Sequence, residues 1–380
     1  MGTMERILGL MSGKHASDIY LSANSVALIR IHGECMPINN QILPPDAPLN
    51  LLAEILPPER IQELQDTREL NMAWSMPGLG RFRISAMRQR GSYAVVVRLI
   101  NNDIPTLDAL GLPPAMADLM LQKHGLILVV GATGSGKSTS LAAMIDHRNA
   151  SMTGHILTIE DPIEYLFKNK RSIINQREVG SDTESAEVAL KNALRQAPDV
   201  ILIGEIRDRE TMSAAIAYAQ TGHLCLATMH ANNSYQALNR ILSFYPVEVR
   251  MTMLSDLGSA LKAIISQRLI RNVSSERSPA VEIMLNTQLI SELIGKGDFS
   301  SVKEAMDKSM AEGSQTFEED IARLILEGII ERKDGLANAD SATNLLWRLQ
   351  NDFTTRAKAK PAEDHDDTPS FTEITLDMHH

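Results

Sequence analysis

The sequence predicts an α/β protein of two domains, a small α+β domain followed by a larger domain built on a parallel sheet. Its 380 residues suit two domains and tails better than a single domain. From about residue 115, apolar strand segments alternate with helical segments, which is typical of a parallel sheet with flanking helices. A glycine-rich motif from Gly131 to Ser138 lies between the first of these strands and a helix, as a phosphate-binding loop requires.

The first domain is predicted to comprise residues 1–100. Apolar alternation and the placement of proline and glycine indicate its elements. They are a short amphipathic helix at 7–11, strands at 19–21 and 26–31 with a turn at His32-Gly33, a helix opened by Pro57-Pro58, and a hairpin of 81–86 and 93–99 around Gly91. Residues 101–114, which include three prolines, are the predicted linker.

The second domain is predicted to comprise residues 115–335. Its predicted strands are 126–130, 155–159, 200–203 and 224–229, with helices between them such as 138–147 and 185–196, and mostly helices after the fourth strand through Gly328. Residues 336–380 are predicted to form an amphipathic helix at 342–353 and a tail beyond Thr354. This tail is polar and acidic, above all at 363–367, so we predict that it is disordered.

Composition narrows the class of protein. The net charge of −10 and the pI of about 5.5 disfavour nucleic acid as the main partner, because nucleic acid prefers a basic surface. The two cysteines, Cys35 and Cys225, are expected to be small buried hydrophobes, and they form neither a disulfide framework nor a zinc site. No apolar run approaches the roughly 20 residues that span a membrane, and residues 1–10 lack the apolar core of a signal peptide. We therefore expect a cytoplasmic protein whose membrane role, if it has one, depends on partners.

The glycine-rich motif carries the clearest chemistry. Glycines allow backbone N–H groups to turn inward around phosphates, and the following helix adds its dipole. Lys137 is predicted to reach the β and γ phosphates of ATP, and Ser138 to hold Mg²⁺. The residues that we assign to nucleotide binding in this motif are Gly131, Thr133, Gly134, Ser135, Gly136, Lys137, Ser138 and Thr139.

Two acidic motifs follow predicted strands of the same sheet. Four apolar residues, 200–203, lead into Gly204 and Glu205, the Walker B pattern. Gly204 stands where many NTPases place the Asp that binds Mg²⁺, so Glu205 is expected to act on the metal through water or directly. The second motif, Glu160-Asp161-Pro162-Ile163-Glu164, supplies three candidate carboxylates to orient and deprotonate an attacking water.

Two histidines flank the predicted strand 224–229. Their spacing of seven residues puts His223 at one end of the strand and His230 at the other. His230 is predicted to lie at the carboxyl edge near the nucleotide. His223 is predicted to lie at the opposite end or at a subunit interface.

Three arginines, Arg81, Arg83 and Arg98, fall on the predicted hairpin of the first domain. Taken singly, each is typical of a solvated strand residue. Taken together, they could supply the cation that stabilises charge on the γ-phosphate, which often comes from another domain or subunit.

Together these motifs resemble the secretion-type ATPase superfamily. The similarity extends from about residue 16 to about residue 335 and is densest in GATGSGKS, ILTIEDPIEY, INQREVG, ILIGEIRDRET and TGHLCLATMH. Within the superfamily the chain is most similar to the PilT/PilU family of type IV pilus retraction ATPases. The resemblance implies a PAS-like first domain, a RecA-like second domain, and a homo-hexameric ring that uses ATP and Mg²⁺. It also implies a place at the inner-membrane base of the pilus, against a platform protein.

The resemblance also implies roles for individual residues. Lys137 and Ser138 match the Walker A residues, Glu164 matches the catalytic glutamate and Glu205 the Walker B glutamate. The remaining matches are His223 and His230 to the histidine box, and Arg83 and Arg98 to first-domain arginines that reach the nucleotide phosphates. The resemblance thus implies a catalytic role for His230 and nucleotide binding by His223, Arg83 and Arg98.

One departure from the family pattern disfavours the pilus-extension motor, and a second, together with the long acidic tail, favours the PilU branch, whose members are accessory to a PilT-like ATPase. Assembly and secretion relatives carry a four-cysteine zinc module and a longer N-terminal region, and neither is found in this sequence. PilT-type members carry an Ala-Ile-Arg element, where this chain has Leu289 for the alanine and Ser291 for the arginine.

Three alternatives stay open. One is a secretion or pilus-assembly ATPase of the same superfamily. Another is a RecA-type nucleic-acid motor, which the acidic balance and the lack of a basic, aromatic-rich strip disfavour. The third is a nucleotide-binding scaffold with negligible turnover.

Overall fold

The computed structural model describes residues 2–14, 16–31, 33–100, 103–309 and 311–359, the last nine by their backbone alone. Within this part of the chain there are two β-sheets, one in each half. The first sheet has six antiparallel strands, and the second has seven strands, mostly parallel. The predicted α/β fold, with a smaller α+β unit first, is confirmed. The turn residue His32 and the acidic run 363–367 lie outside the described residues.

The first sheet has the strand order β3-β2-β1-β6-β5-β4, with three helices packed on one face. Its elements are α1 Thr3–Gly13, β1 Asp18–Ser22, β2 Val26–Ile31, β3 Glu34–Ile42, α2 Ala47–Ala53, α3 Pro58–Thr67, β4 Glu69–Met76, β5 Gly80–Gln89 and β6 Ser92–Ile100. Met4, Leu8 and Met11 recur at helical spacing, so α1 buries one stripe against the sheet. On β5, Phe82 and Ile84 point into this core, which leaves the alternate residues for the opposite face.

The second sheet has the strand order β13-β12-β7-β11-β10-β8-β9, and all neighbours are parallel except β12 and β13. Its strands are β7 Gly125–Val130, β8 Gly154–Glu160, β9 Ser172–Glu178, β10 Val200–Ile203, β11 Leu224–Met229, β12 Leu261–Arg271 and β13 Arg277–Leu285. Every residue of β7, β10 and β11 is buried, because apolar clusters cover both faces of the sheet.

The helices around this sheet begin where the sequence supplies caps. The side chains of Ser185, Asp208 and Asn233 accept hydrogen bonds from the first turns of the helices that follow them. The helices are α4 Ala115–Met120, α5 Lys137–Ser151, α6 Ala186–Ala193, α7 Arg209–Gln220, α8 Ser234–Ser243, α9 Arg250–Ala260, α10 Gln288–Lys296, α11 Val302–Asp307, α12 Phe317–Leu326, α13 Arg332–Asn338 and α14 Ala342–Ala359.

The four predicted strands of the second domain are confirmed, and mostly helices follow Met229 as predicted, but two strands in this part, β12 and β13, were not predicted. β12 and β13 form an antiparallel pair there, and β12 joins the sheet beside β7. The sequence hides this change because α9 ends at Ala260 and β12 begins at Leu261, with no proline or glycine between them. The strands β3, β4 and β9 were not predicted either, since they lie at sheet edges, where apolar patterns are weaker.

The two cysteines have different surroundings. Cys225 is buried in β11, and burial raises the pKa of its thiol to about 12. Cys35 is exposed, contrary to prediction, because it lies on β3, an edge strand with almost all of its residues exposed.

The C-terminal part of the second domain packs as a small helical cluster. The predicted amphipathic helix is confirmed as α14, which buries Leu345 and Leu349 against a group that includes Phe317 and Ile321 of α12. Among the described residues, no helix combines the length and the apolar character that crossing a membrane requires.

Candidate nucleotide-binding site

The motifs of the second domain meet at one edge of its sheet. Gly131 follows β7, Glu160 ends β8, Glu205 lies just beyond β10, and His230 follows β11. Because these strands are parallel, their carboxyl ends share one edge, where open α/β sheets bind ligands.

The phosphate loop turns from β7 into α5. Gly134 and Gly136 have φ angles of 78° and 87°, which only glycine adopts without strain. The Lys137 ammonium donates to the carbonyl oxygens of Gly131 at 2.8 Å and Ala132 at 2.9 Å. Burial lowers the pKa of Lys137, whereas the nearby Glu205 carboxylate raises it. Burial is the larger of the two effects, so the pKa of Lys137 lies below its ordinary value.

The hydroxyl groups of the loop differ in their surroundings. Thr133 and Ser138 are exposed, and Thr139 shares a 2.8 Å hydrogen bond with the Tyr165 hydroxyl. The Ser135 hydroxyl is buried and has no hydrogen-bond partner within the described residues. A buried polar group without a partner is costly, so this hydroxyl is well suited to contact a bound polar ligand.

Glu205 lies at the centre of a charged cluster. Its Oε1 is 3.2 Å from His230 Nε2, and its Oε2 accepts a 2.8 Å hydrogen bond from Arg207 Nε. This hydrogen bond raises the pKa of Arg207. The sequence analysis missed Arg207, although it stands two residues after Glu205 in the same motif.

Close packing at position 204 disfavours an aspartate there. A Cβ atom at this position would lie 3.1 Å from the Ile159 carbonyl oxygen and 3.2 Å from the Glu160 Cα. The ends of β8 and β10 therefore lie so close together that a side chain here would require a shift of a few tenths of an ångström. This leaves Glu205 as the acid at the end of β10.

The three acids after β8 have separate surroundings. Glu160 accepts from the Thr158 hydroxyl at 2.7 Å and from Gln176 at 3.2 Å, and burial raises its pKa. Asp161 is 3.8 Å from Arg207. The Glu164 side chain is 44 % exposed and faces the first domain. Asp161 is open to solvent as well, with 61 % of its side chain exposed, so what sets Glu164 apart is its position opposite Arg83 of the first domain.

Arg83 and Arg98 lie on the outer face of the first sheet, directly across from each other on β5 and β6. The Arg83 guanidinium is 3.5 Å from the Glu164 carboxylate, so the structure brings it to the candidate site. Arg98 instead donates from Nε to Asp18 at 2.8 Å, within its own sheet. The structure therefore places one of the two predicted phosphate ligands beside the catalytic candidate and the other beside Asp18.

Arg81 is not the solvated strand residue that the sequence suggested. Its side chain is only 13 % exposed and forms a 2.6 Å ion pair with Glu178, which ends β9 in the second domain. The same Glu178 oxygen accepts the Ile163 backbone N–H at 3.0 Å. The pair thus ties the first domain to the segment that carries Glu164, and only the tertiary structure reveals it.

His223 lies at the end of β11 opposite His230, as predicted. Its Nδ1 is 3.2 Å from the carbonyl oxygen of Tyr218. A six-residue strand spans about 20 Å, so His223 does not belong to the group around Glu205 in the same chain.

A cavity of about 550 Å³ adjoins the phosphate loop at the start of α5. It is lined by Gly136 and Thr139 on one side, by residues 108–112 between the domains, and by Leu269 and residues 276–279 of the β12–β13 hairpin. Such a volume accommodates a small organic ligand. The sequence did not predict this cavity because, apart from the phosphate loop, the segments that line it carry no recognisable motif.

Known proteins share these features over nearly the whole chain. The family model for type II/IV secretion system proteins matches residues 14–324. The type IV pilus ATPase PilU of Pseudomonas aeruginosa is 46 % identical over 347 residues, which are 91 % of each chain. PilT, the type IV pilus retraction ATPase of the same organism, is 35 % identical over 89 % of this chain and 98 % of its own length.

A solved structure agrees with the sequence relatives. The crystal structure of the pilus retraction motor PilT with bound ADP superimposes with a TM-score of 0.84 at 36 % identity, covering 91 % of this chain and 99 % of that chain. This likeness confirms the predicted fold, a small N-terminal domain followed by a RecA-like ATPase domain. The chain therefore belongs to the type II/IV secretion system protein family, among the type IV pilus ATPases of its PilT/PilU branch.

Proposed function

We propose that this chain is a Mg²⁺-dependent ATPase that works as a homo-hexameric ring and assists type IV pilus retraction. The observation that carries the proposal is the position of Glu164. It follows a strand of the ATPase sheet, belongs to the segment that meets the phosphate loop through Tyr165 and Thr139, and faces Arg83 of the first domain. A site assembled from both domains is suited to couple hydrolysis to their relative movement.

ATP would bind with its phosphates in the loop and its base in the adjoining cavity. The phosphates would draw the Lys137 ammonium away from the loop carbonyls and would give the Ser135 hydroxyl a partner. Leu269 offers an apolar wall to the base, while Gly136 allows the nucleotide close to the backbone. The walls of the cavity come from the interdomain segment and the hairpin, so a bound nucleotide would touch several parts of the chain.

The residues at the sheet edge suit Mg²⁺. Ser138 offers an exposed hydroxyl, and Glu205 offers a carboxylate, and such oxygen ligands are those that Mg²⁺ prefers. Both Glu205 oxygens already contact Arg207 and His230, which favours contact through a metal-bound water. When bound, Mg²⁺ would neutralise charge on the phosphates.

For hydrolysis we assign the base to Glu164 and positioning to Glu205 and His230. Glu164 would accept a proton from the attacking water, and His230 would fix the orientation of the Glu205 carboxylate. Lys137 would stabilise the charge on the transferred phosphoryl group. Arg83 would leave Glu164 for the phosphates as the domains close, and this movement would free the base.

The proposal that this chain is accessory to a PilT-like ATPase is based on helix α10. In this helix the Ser291 hydroxyl donates to the Gly258 carbonyl oxygen of α9 at 2.8 Å, while Leu289 is exposed. A Cβ at Gly258 would lie 3.1 Å from the Ser291 carbonyl oxygen, so the two helices pack closely here. A small hydroxyl that is bound to α9 cannot replace an arginine in contacting a partner. We infer that a PilT-like ATPase supplies this contact.

For assembly and location we propose what the family resemblance implies. We place the ring at the cytoplasmic side of the inner membrane, peripheral to it and held by the platform protein of the pilus machine, without nucleic acid as a partner. In the ring, His223 would act at a neighbouring subunit, because it lies about 20 Å from the site of its own chain.

The proposal is tested with the purified full-length chain. We expect ATP-dependent phosphate release that stops when Mg²⁺ is removed with EDTA, and six-membered rings in electron micrographs. In cells, loss of the gene should weaken retraction against load. Hydrolysis without any effect on retraction, together with a secretion defect, would favour the secretion ATPase alternative. Tight nucleotide binding without turnover would favour the scaffold alternative.

A further inference from the structure

Gln267 lies beside the phosphate loop because of the register of β12. This strand pairs in parallel with β7, and Ser266 is aligned with Val130, the last residue of β7. The next residues along the two strands are Gln267 and Gly131, the first residue of the loop. Gln267 is only 2 % exposed, so its amide must find partners inside the protein.

Both ends of the Gln267 amide bind the loop region. Its Oε1 accepts a 2.7 Å hydrogen bond from the Ser140 hydroxyl, in the first turn of α5. Its Nε2 donates to the Ser135 carbonyl oxygen at 2.9 Å. One side chain thus connects the middle of the loop to the helix that follows it.

Gln267 also fills the space next to two glycines of the loop. A Cβ atom at Gly131 would lie 2.6 Å from the Gln267 carbonyl oxygen, and one at Gly136 would lie 2.7 Å from Gln267 Nε2. Real Cβ atoms do not approach so closely. Glycine at position 136 therefore leaves room for the side-chain amide of Gln267, and glycine at position 131 leaves room for the main chain of β12.

We propose that Gln267 is a positioning residue of the phosphate loop, which holds Ser135 and Ser140 so that the loop N–H groups converge before nucleotide arrives. A loop that is already ordered loses less entropy when it binds a ligand, so affinity rises without any new contact to the ligand. The inference rests on the proposed binding of nucleotide to this loop.

The test compares Gln267→Leu with Gln315→Leu in the full-length protein. Gln315 lies in the same domain and also donates from its side-chain amide, to the Val281 carbonyl oxygen at 2.7 Å, but it contacts no loop residue. We expect Gln267→Leu to bind fluorescent ADP and ATP analogues at least tenfold more weakly, and its KM for ATP to rise more than its kcat falls. Gln315→Leu should bind them as the unaltered protein does.

A second variant keeps the test decisive if Gln267→Leu fails to fold. Ser140→Ala removes one of the two hydrogen bonds, and we expect a smaller loss, about threefold, in nucleotide affinity. Adding Ser140→Ala to Gln267→Leu should cost little more, because the shared hydrogen bond is already absent. Folded Gln267→Leu with unaltered affinity, or equal losses in both glutamine variants, would overturn the inference. Failure of the unaltered protein to bind nucleotide would instead overturn the proposed function.

Discussion

Arg83 and Arg98 face each other directly across β5 and β6, yet their guanidinium groups bind carboxylates in different domains. Arg83 reaches Glu164 of the ATPase domain, whereas Arg98 binds Asp18 of its own sheet. On β1, Asp18 is aligned with Arg98 on one side and with Arg30 of β2 on the other, so the row of charged residues continues across the sheet. A line of charged side chains thus leads across the outer face of the first domain to the catalytic candidate.

We expect Arg83→Ala to lower ATP turnover more than Arg98→Ala, because only Arg83 contacts the ATPase domain in this arrangement. Neither change should unfold the protein, since both side chains are substantially exposed. Steady-state phosphate release measures the effect. The control is Arg88→Ala, at an exposed position on β5, the strand that also carries Arg83. Unaltered kinetics in both variants would leave the two arginines with no role at the nucleotide.

Lys137→Ala should abolish hydrolysis while the protein stays folded. Within the described part of the chain, the hydrogen bonds of this ammonium go to loop carbonyl oxygens and not to the apolar core, but it is the cation of the phosphate loop. Phosphate release and circular dichroism of the same sample measure the two properties. Turnover at the level of the unaltered protein would show that the loop is not the site.

Glu164→Gln should retain ATP binding but slow hydrolysis by about 10²-fold or more, the scale for loss of a positioned base. Glu205→Gln should also reduce turnover, since it weakens the contacts with Arg207 and His230. Single-turnover hydrolysis and nucleotide binding separate the two roles. If Glu205→Gln is inactive while Glu164→Gln turns over normally, the base is Glu205.

Arg81→Ala should destabilise the protein by about 3–5 kcal/mol, because it leaves the buried Glu178 carboxylate without its cation. The double variant Arg81→Met, Glu178→Gln should be less destabilised, since it removes both charges together. Urea unfolding monitored by fluorescence gives the free energies. A loss below about 1 kcal/mol for Arg81→Ala would show that the ion pair behaves as an exposed surface pair does.

The accessory role predicts rescue by an inactive partner. In a cell without its PilT-like ATPase, this chain should retract pili poorly, because Ser291 makes no partner contact that an arginine would make. A catalytically dead PilT-like protein that retains the Ala-Ile-Arg element should restore retraction, with this chain supplying the hydrolysis. The measurement is retraction frequency in single cells, and Lys137→Ala in this chain should cancel the rescue. Full retraction without any partner would make the chain a self-sufficient motor.

The sequence by itself determined the family, the order of the two domains, and the motifs that surround the phosphate loop. These features are local: a strand, a glycine turn and a helix start within a few residues specify the loop, and acids placed directly after buried strands must reach the shared carboxyl edge. His230 could be placed at the same edge on this ground alone, whereas its contact with Glu205 appears only in the structure. The same reasoning failed at Leu261, where a helix changes to a strand without any local signal.

Only the tertiary structure decided which distant side chains meet. Arg81 and Glu178 are 97 residues apart, and Ser140 and Gln267 are 127 residues apart. Such contacts depend on domain packing and on strand register, and no motif of a single segment encodes either. A one-residue change of register would turn Gln267 to the other face of the sheet and leave the loop without it. The sequence thus specified the chemistry of the site, and the packing of the sheet and of the two domains specified its support.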